Sequence, residues 1–358
     1  MTKYKKPSRN FITYAMVIIA FLLCELALSG MIDGFKMSRS LKGQLVPICV
    51  YIVMAVSLNL TVGILGELSL GHAGFMSVGA FTGVVTAMSL QSAIPSDGVR
   101  LALAIVMGAI FAGIAGTLVG IPVLRLHGDY LAIVTLAFGE IIKELINCLI
   151  IGHDENGLHI IFNATGAKTV TDLGLTETGK VLIKGAQGAT GTDTIASFTA
   201  GFILIMVTLV VVLNLARSRS GRAIMALRDN RIAAESVGIN VTKYKLMAFV
   251  TSAALAGGAG ALYGLNFSNL VSSKFDFNTS ILVLVFVVLG GLGNMWGSII
   301  AAAVLTVLPE ALRGFADYRM LIYAIVLIVV MLATNSPQMK ALLSKLVPFG
   351  KNGEKEHA

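Results

Sequence analysis

The stretch GRAIMALRDNRIAAESVGINVTKYKLMAFVTSAALAGGAGALYG, residues 221–264, decides how this chain folds. Between residues 217 and 245, seven Lys and Arg side chains stand against Asp229 and Glu235. So charged a loop is too costly to place in lipid, and loops rich in Lys and Arg stay in the cytoplasm. An apolar segment rich in small residues follows from Leu246. The stretch therefore predicts a cytoplasmic loop, residues 217–245, that leads into a transmembrane helix.

The composition places the whole chain in a membrane. Of its 358 residues, 56% are hydrophobic and 13% are charged, and the mean hydropathy is +0.85. These values are typical of a polytopic membrane protein. The net charge of +8 comes from basic residues at the ends of apolar runs, where they set topology and contact membrane lipid. We therefore expect no nucleic-acid partner.

The apolar runs predict an all-α fold of about ten transmembrane segments, some of them short or broken. A helix needs about 20 apolar residues to cross a bilayer. A longer region, residues 281–308, is divided by GGLGNMWG into two short helices that turn at membrane depth. The other eight candidates are residues 11–28, 45–65, 71–90, 99–124, 130–151, 198–216, 246–266 and 320–334.

An even number of segments puts both termini on one side of the membrane. The bias of Lys and Arg makes that side the cytoplasm, together with the tail, residues 335–358. The basic N-terminus followed by an apolar run also fits a secretory signal, but Glu25 interrupts the run, so we expect the first helix to be retained. The chain is then one transmembrane domain, residues 1–358.

The one sizeable polar segment, residues 152–197, is expected outside the cell as loops that could include a small hairpin. It is either an ordered cap over the helices or a docking face for an external protein. His153 and His159 lie near Asp154 in this segment, a pattern more typical of solvated side chains than of a metal site. The three cysteines show no disulfide or zinc spacing, and no metal is expected.

Two glycine-rich stretches look like interrupted helices. GILGELSLGHAG contains Gly71 and Gly74, and GGLGNMWG contains Gly291 and Gly293. Broken helices at corresponding places in two halves of a chain point to a translocation path. These four glycines are therefore candidates for that path.

Ionisable residues inside apolar runs are the other candidates, because they are costly in a membrane. Glu67 and His72 flank the first interruption, where capping of the broken helix and a function are both open. Glu140 shares a helix face with Lys143 or Glu144, and we favour a structural ion pair for that group.

The sequence contains no catalytic or phosphate-binding motif. It lacks GxSxG, HExxH and GxxxxGK[ST], so we expect neither an enzyme nor a bound cofactor. If the chain takes part in ATP-driven transport, the ATPase must be a separate subunit.

Within the basic loop, residues 221–228 and 232–237 predict two short helices, the second of which ends at Gly238 as a C-terminal cap. Ala233, Ala234, Glu235 and Ser236 would present a narrow surface that could enter a cleft on a partner. The alternative is an interfacial helix that rests on lipid headgroups.

Four stretches resemble the permeases of branched-chain amino-acid ABC importers, and more closely the M-type partner of the permease pair. They are LNLTVGILGELSLGHAGFMSVGAF (58–81), GDYLAIVTLAFGEI (128–141), GRAIMALRDNRIAAESVGINVTKYKLMAF (221–249) and VLGGLGNMWGSIIAAAVLTVLPE (288–310). The outer loop and the ATNSPQMK tail depart from the family pattern, so the details of binding-protein docking stay open.

The resemblance implies a bacterial inner-membrane complex with four kinds of subunit. This chain would pair with an H-type permease, two cytoplasmic ATP-binding subunits and an extracytoplasmic amino-acid-binding protein. The segment from Ala233 to Gly238 would be the coupling helix in a groove of an ATPase. The residues expected to couple to the ATPase are Arg222, Arg228, Asp229, Arg231, Ala233, Ala234, Glu235 and Gly238.

Two other transport functions stay open on the sequence. Related importers carry sugars or nucleosides on the same architecture. An ion-coupled secondary transporter could work alone, with Glu67, His72 or Glu140 carrying the proton. An intramembrane enzyme would need a nucleophile and base pair that the sequence does not show.

Overall fold

The computed structural model describes residues 9–28, 39–126, 128–154, 157–163, 170–174 and 179–312, together with residues 321, 324, 325 and 328. Within these residues the fold is mostly helical. The helices are α1 (Arg9–Leu28), α2 (Arg39–Asn59), α3 (His72–Ser89), α4 (Asp97–Val123), α5 (Asp129–Asn147), α6 (Phe198–Arg217), α7 (Arg219–Asp229), α8 (Arg231–Ser236), α9 (Val241–Gly264), α10 (Phe277–Gly290) and α11 (Met295–Ala311). The packing described below is that of the larger compact unit, Met1–Ala303.

Four of the described helices are long and apolar enough to cross a membrane, judged by length and composition. They are α2 with its continuation to Leu65, α4, α6 and α9. Shorter apolar helices cover Thr13–Leu26, α10 and α11. The expected count of ten spans is not confirmed, and most of the span expected at residues 320–334, with the tail 335–358, lies outside the described residues.

Helix α9 lies at the centre and packs against α2, α3 and α4. Small residues make this close approach possible, as is common where helices associate in lipid. A Cβ atom on Gly79 of α3 would lie 2.0 Å from the carbonyl oxygen of Gly257 on α9, and one on Gly260 would lie 2.0 Å from that of Met76. At these contacts the glycines therefore serve helix packing.

Both predicted helix interruptions are present. Helix α2 continues as a π-helix, Leu60–Leu65, and stops at Gly66, whose φ of 81° is the left-handed conformation of a glycine C-cap. The second interruption separates α10 from α11, where Gly291 and Gly293 have φ values of 91° and 78°. Short π-helical turns inside helices are found at functional sites more often than elsewhere.

The segment after α5 contains more sheet than the sequence predicted. Strand β1 (Leu149–Asp154) lies between β2 (Gly157–Phe162) and β3 (Lys180–Lys184) in an antiparallel sheet, with an irregularity between Ile151 and Gly152. A second pair joins β4 (Ala189–Thr190) to β5 (Asn269–Leu270).

The expected fifth span, residues 130–151, is therefore too long. Its helix ends at Asn147, and Leu149 to Ile151 belong to β1. The apolar run continues without a break from helix to strand, so hydropathy could not predict where the helix ends and the strand begins. The β-branched Ile150 and Ile151 favour the strand, where they pair with β2.

Candidate functional site

The basic loop folds as two capped helices, as predicted, with slightly different bounds. Ser218 caps α7 by accepting a hydrogen bond from the Gly221 N–H (3.0 Å), and Asn230 caps α8 by accepting one from the Ala233 N–H (3.0 Å). Helix α8 ends before Gly238, whose φ of 84° is left-handed. The caps fix where the two helices begin, so the loop has a defined shape.

Helix α8 and the residue that follows it present two exposed apolar side chains. Ile232 is 80% exposed and Val237 75%, the highest fractions among the large apolar side chains described. Beside them, Arg231 Nε donates to Glu235 Oε1 at 3.1 Å. Ala234 was expected on the outer surface, but it is buried, so that part of the prediction is wrong. We call Ile232, Val237 and the Arg231–Glu235 pair the α8 patch.

Arg228, expected to face a partner, contacts the body of the protein. Its Nη1 donates to the Gly63 carbonyl oxygen at 3.1 Å, while Nε and Nη2 donate to Asp229 Oδ1 at 3.1 and 3.0 Å. Arg222 lies exposed on the same helix and donates to the Arg217 carbonyl oxygen. The loop is therefore anchored through Arg228 to the π-helix that ends α2.

The two helix interruptions meet at one place. Asn59 Oδ1 accepts a hydrogen bond from the Gly293 N–H at 2.8 Å, and Asn59 Nδ2 donates to Ser298 Oγ at 2.9 Å. A Cβ atom on Gly63 would lie 1.9 Å from Asn59 Oδ1 and 2.2 Å from the Gly293 nitrogen. We call these four residues the break joint. The sequence predicted each of the two interruptions, but it did not predict that they contact each other.

Glu67, a candidate for the translocation path, forms an ion pair with Lys245. The side chains of Lys245 and Glu67 are only 5% and 15% exposed. The sequence placed Lys245 at the end of the basic loop, whereas in the structure it lies in the first turns of α9 with its side chain buried. The pair joins the first helix interruption to the start of the central helix.

His72 belongs to a buried polar cluster between α2, α3 and α9. Its Nε2 lies 2.8 Å from Ser57 Oγ, and Ser252 Oγ donates to the Ser57 carbonyl oxygen at 2.6 Å. The contacts of this side chain are therefore with the helix core.

Gly71 and Gly74 serve a close contact between α3 and α5. A Cβ atom on Gly71 would lie 2.1 Å from the Thr135 carbonyl oxygen, and one on Gly74 2.8 Å from the Gly139 Cα. Any larger residue at Gly71 would push the two backbones apart.

Glu140 forms the predicted ion pair with Lys143, whose Nζ also lies 3.8 Å from Glu144 Oε1. In addition, Glu140 Oε1 accepts a hydrogen bond from the backbone N–H of Phe277 at 3.1 Å. This carboxylate thus fixes the first residue of α10 against α5, a role that the sequence did not indicate.

Three functional candidates were missed at the sequence level: Asn59, Lys245 and Ser298. Each is a polar residue within or at the edge of an apolar run, and such residues usually find partners inside a helix bundle. That signal was available for Asn59 in SLNLTVG. The sequence could not indicate which residues are the partners, because Asn59 and Ser298 are 239 residues apart in the chain.

Comparison with known proteins identifies the family. Residues 41–332 match the model of the branched-chain amino acid transport system / permease component. This match covers well over half of the chain and includes the break joint, the basic loop and α9. The chain belongs to this permease family.

Individual relatives agree with this assignment. The permease is 34% identical over 293 residues to the high-affinity branched-chain amino acid transport system permease protein LivM of Escherichia coli (strain K12). The alignment covers 79% of this chain and 66% of LivM, which is slightly less than two thirds of the length of LivM. It is 22% identical over 289 residues to LivH of Salmonella typhimurium, and this alignment covers 79% of this chain and 88% of LivH. The ribose import permease protein RbsC of Haemophilus influenzae is 32% identical over 123 residues, 32% of this chain and 38% of RbsC. No solved structure matches the permease.

Proposed function

We propose that this chain is the M-type permease subunit of an ATP-driven importer of branched-chain amino acids in a bacterial cytoplasmic membrane. The observation that carries the proposal is the family match over residues 41–332, which spans both helix interruptions and the basic loop. The 34% identity to LivM supports the substrate class. An H-type permease would complete the translocation path, and an extracytoplasmic binding protein would deliver the amino acid.

ATP hydrolysis belongs to separate subunits in this proposal, because the sequence contains no phosphate-binding GxxxxGK[ST] motif. The α8 patch is the proposed contact with one of two cytoplasmic ATPases. Exposed apolar side chains beside a charged pair fit the apolar centre and polar rim of a protein interface. The proposed coupling set remains Arg222, Arg228, Asp229, Arg231, Ala233, Ala234, Glu235 and Gly238, with Ala234 and Arg228 acting from the inner side.

The proposal also fixes a topology. Loop 217–245, both termini and the tail 335–358 lie in the cytoplasm, and residues 152–197 lie outside as a cap or docking face for the binding protein. Cysteines introduced at Arg219 and at Gly191, one in each region, test this with a membrane-impermeant thiol reagent on intact cells. Labelling only at Gly191 is expected, and labelling at Arg219 would contradict the topology.

The translocation path is proposed to run beside the interrupted helices. Gly71 and Gly74 set how closely α3 approaches α5, and Gly291 and Gly293 turn the chain at positive φ in the second interruption. Glu67, His72 and Glu140 hold the surrounding helices through the polar contacts described above. In this proposal these residues shape the path through helix position, since their contacts are with the protein.

A sugar importer is the second candidate, because the ribose permease RbsC and the fructose import permease FruG of Bifidobacterium longum match 32% and 37% of the chain. The match to LivM covers 79% and therefore favours amino acids. Uptake of labelled leucine, isoleucine, valine, ribose and fructose by cells with and without the permease decides between them. Loss of sugar uptake alone in the deletion strain would overturn the amino-acid proposal.

The experiment that tests the importer proposal is affinity purification of this chain from native membranes in a mild detergent. We expect a second permease and an ATPase with a phosphate-binding motif to co-purify, and the preparation to hydrolyse ATP. Purification of the chain alone, with transport driven by a proton gradient and indifferent to ATP, would refute the proposal in favour of a secondary transporter.

A further inference from the structure

We propose that Arg228 is a positioning residue that carries movement of the basic loop to the break joint. The inference rests on the proposed function, because it assigns the route by which a displacement of α7 and α8 reaches the interrupted helices. It concerns one side chain and three contacts that it makes or supports.

The first contact is with a backbone group that needs a partner. Gly63 lies in the last turn of the π-helix that ends at Leu65, and carbonyl groups in the last turn of a helix lack an N–H partner from their own helix. Arg228 Nη1 donates to that carbonyl oxygen at 3.1 Å. A cation at the C-terminal end of a helix is also favoured by the helix dipole. Arg228 therefore caps the interrupted helix from outside.

The second contact is steric. A Cβ atom on Gly66 would lie 2.5 Å from Arg228 Cγ, so the aliphatic part of the arginine rests directly on the glycine that ends the π-helix. Helix α7 is thus held against this end by one hydrogen bond and one close contact. If α7 shifts, either the end of the π-helix moves with it or the hydrogen bond and the close contact are both lost.

The third step leads from the π-helix to the other interruption. Gly63 touches Gly293, and Asn59, one turn earlier, accepts from the Gly293 N–H and donates to Ser298 of α11. These groups are in van der Waals or hydrogen-bond contact, and close-packed elements move as units rather than deforming continuously. The route therefore runs from α7 through Arg228, Gly63 and Asn59 to Gly293.

Arg219 gives a matched comparison on the same helix. It carries the same charge and is exposed, and it makes no hydrogen bond to another side chain within the described residues. If basic charge on α7 were all that mattered, Arg219 and Arg228 would be equivalent. The contacts predict that only Arg228 affects coupling.

The test uses the complete transporter, purified with its partner subunits and reconstituted in proteoliposomes. The measured quantity is the number of leucine molecules taken up per ATP hydrolysed, because a residue with a purely structural role would lower assembly but leave this ratio unchanged. R228Q and R228M both remove the guanidinium while keeping part of the aliphatic stem. We expect each to assemble and hydrolyse ATP, with a ratio about tenfold below that of the parent.

Four further variants, R228K, R219Q, N59A and the N59A–R228Q double variant, complete the design. R228K keeps a cationic donor and should recover part of the ratio, and R219Q should match the parent. N59A, combined with R228Q, should lower the ratio no further than the more severe single variant, since both act on one route.

An unchanged ratio in R228Q or R228M would overturn the inference, and so would failure of both variants to assemble, which would make Arg228 an assembly residue. Absence of ATP-dependent uptake by the parent complex is a different result, because it would refute the proposed function itself.

Discussion

The buried ion pair between Glu67 and Lys245 gives the sharpest stability prediction. Lys245→Met removes the ammonium group but keeps an unbranched apolar side chain of similar length in the first turns of α9. The carboxylate of Glu67 then stays in a site where only 15% of its side chain is exposed. Few water molecules can reach the Glu67 carboxylate there to replace the lost ammonium group.

Breaking a buried pair by removing one member costs about 3–5 kcal/mol, because an uncompensated charge is left behind. The partial exposure of Glu67 places our expectation at the lower end, about 3 kcal/mol of unfolding free energy, or roughly a hundredfold in the folding equilibrium. Replacing both residues, with Glu67→Leu added, leaves no buried charge and should return the protein to within about 1 kcal/mol of the parent. Glu67→Leu alone leaves the more deeply buried Lys245 unpaired and should also cost about 3 kcal/mol, so the coupling energy of the cycle is about 5 kcal/mol.

The assay is a double-mutant cycle on the purified chain, with unfolding free energies from SDS titration in mixed micelles. The exposed Arg231–Glu235 pair of α8, with side chains 39% and 47% exposed, is the control and should show a coupling of about 0.3–0.5 kcal/mol. A coupling for the buried pair as small as that of the control would refute the reasoning from burial.

Three further predictions concern packing, pH and partner binding. Gly79→Ala should destabilise the fold by about 1–3 kcal/mol in SDS titration, since its Cβ would lie 2.0 Å from an α9 carbonyl oxygen, whereas Gly43→Ala, with open space around it, should be neutral or stabilising; equal effects would contradict this. Partial burial raises the pKa of Asp276, but hydrogen bonds from the first turn of α10 outweigh it and hold the pKa below its ordinary value of 3.8. The ionised carboxylate therefore stabilises the fold above pH 3.8, and the stability difference between the parent and Asp276→Asn should shrink as pH falls below 3.8; a difference that grows on acidification would be inconsistent with the sign. Ile232→Asp combined with Val237→Asp should lower the ATPase recovered in affinity purification by about tenfold, and undiminished recovery would remove the α8 patch from the interface.

Sequence reasoning succeeded where the signal was local. The charge of loop 217–245 and the cap at Gly238 are read within a few residues, and the structure has the two short helices there. The two interruptions were likewise visible as glycine clusters, because a chain can turn at a positive φ with little cost only at glycine.

The rest depended on contacts between distant parts of the chain. Lys245 was assigned to a solvated loop because its partner lies 178 residues away, and nothing near it in sequence indicated burial. The break joint was hidden for the same reason. The strand that begins at Leu149 was missed because an apolar run does not distinguish a helix from a buried strand.

The central claim is that this permease works in an importer driven by ATP. Its most direct test is the uptake of labelled leucine into proteoliposomes that contain the purified complex, with binding protein outside and either ATP or a non-hydrolysable analogue inside. The account predicts leucine accumulation with ATP and none with the analogue. Equal accumulation in both conditions, or uptake that follows a proton gradient instead, would contradict it.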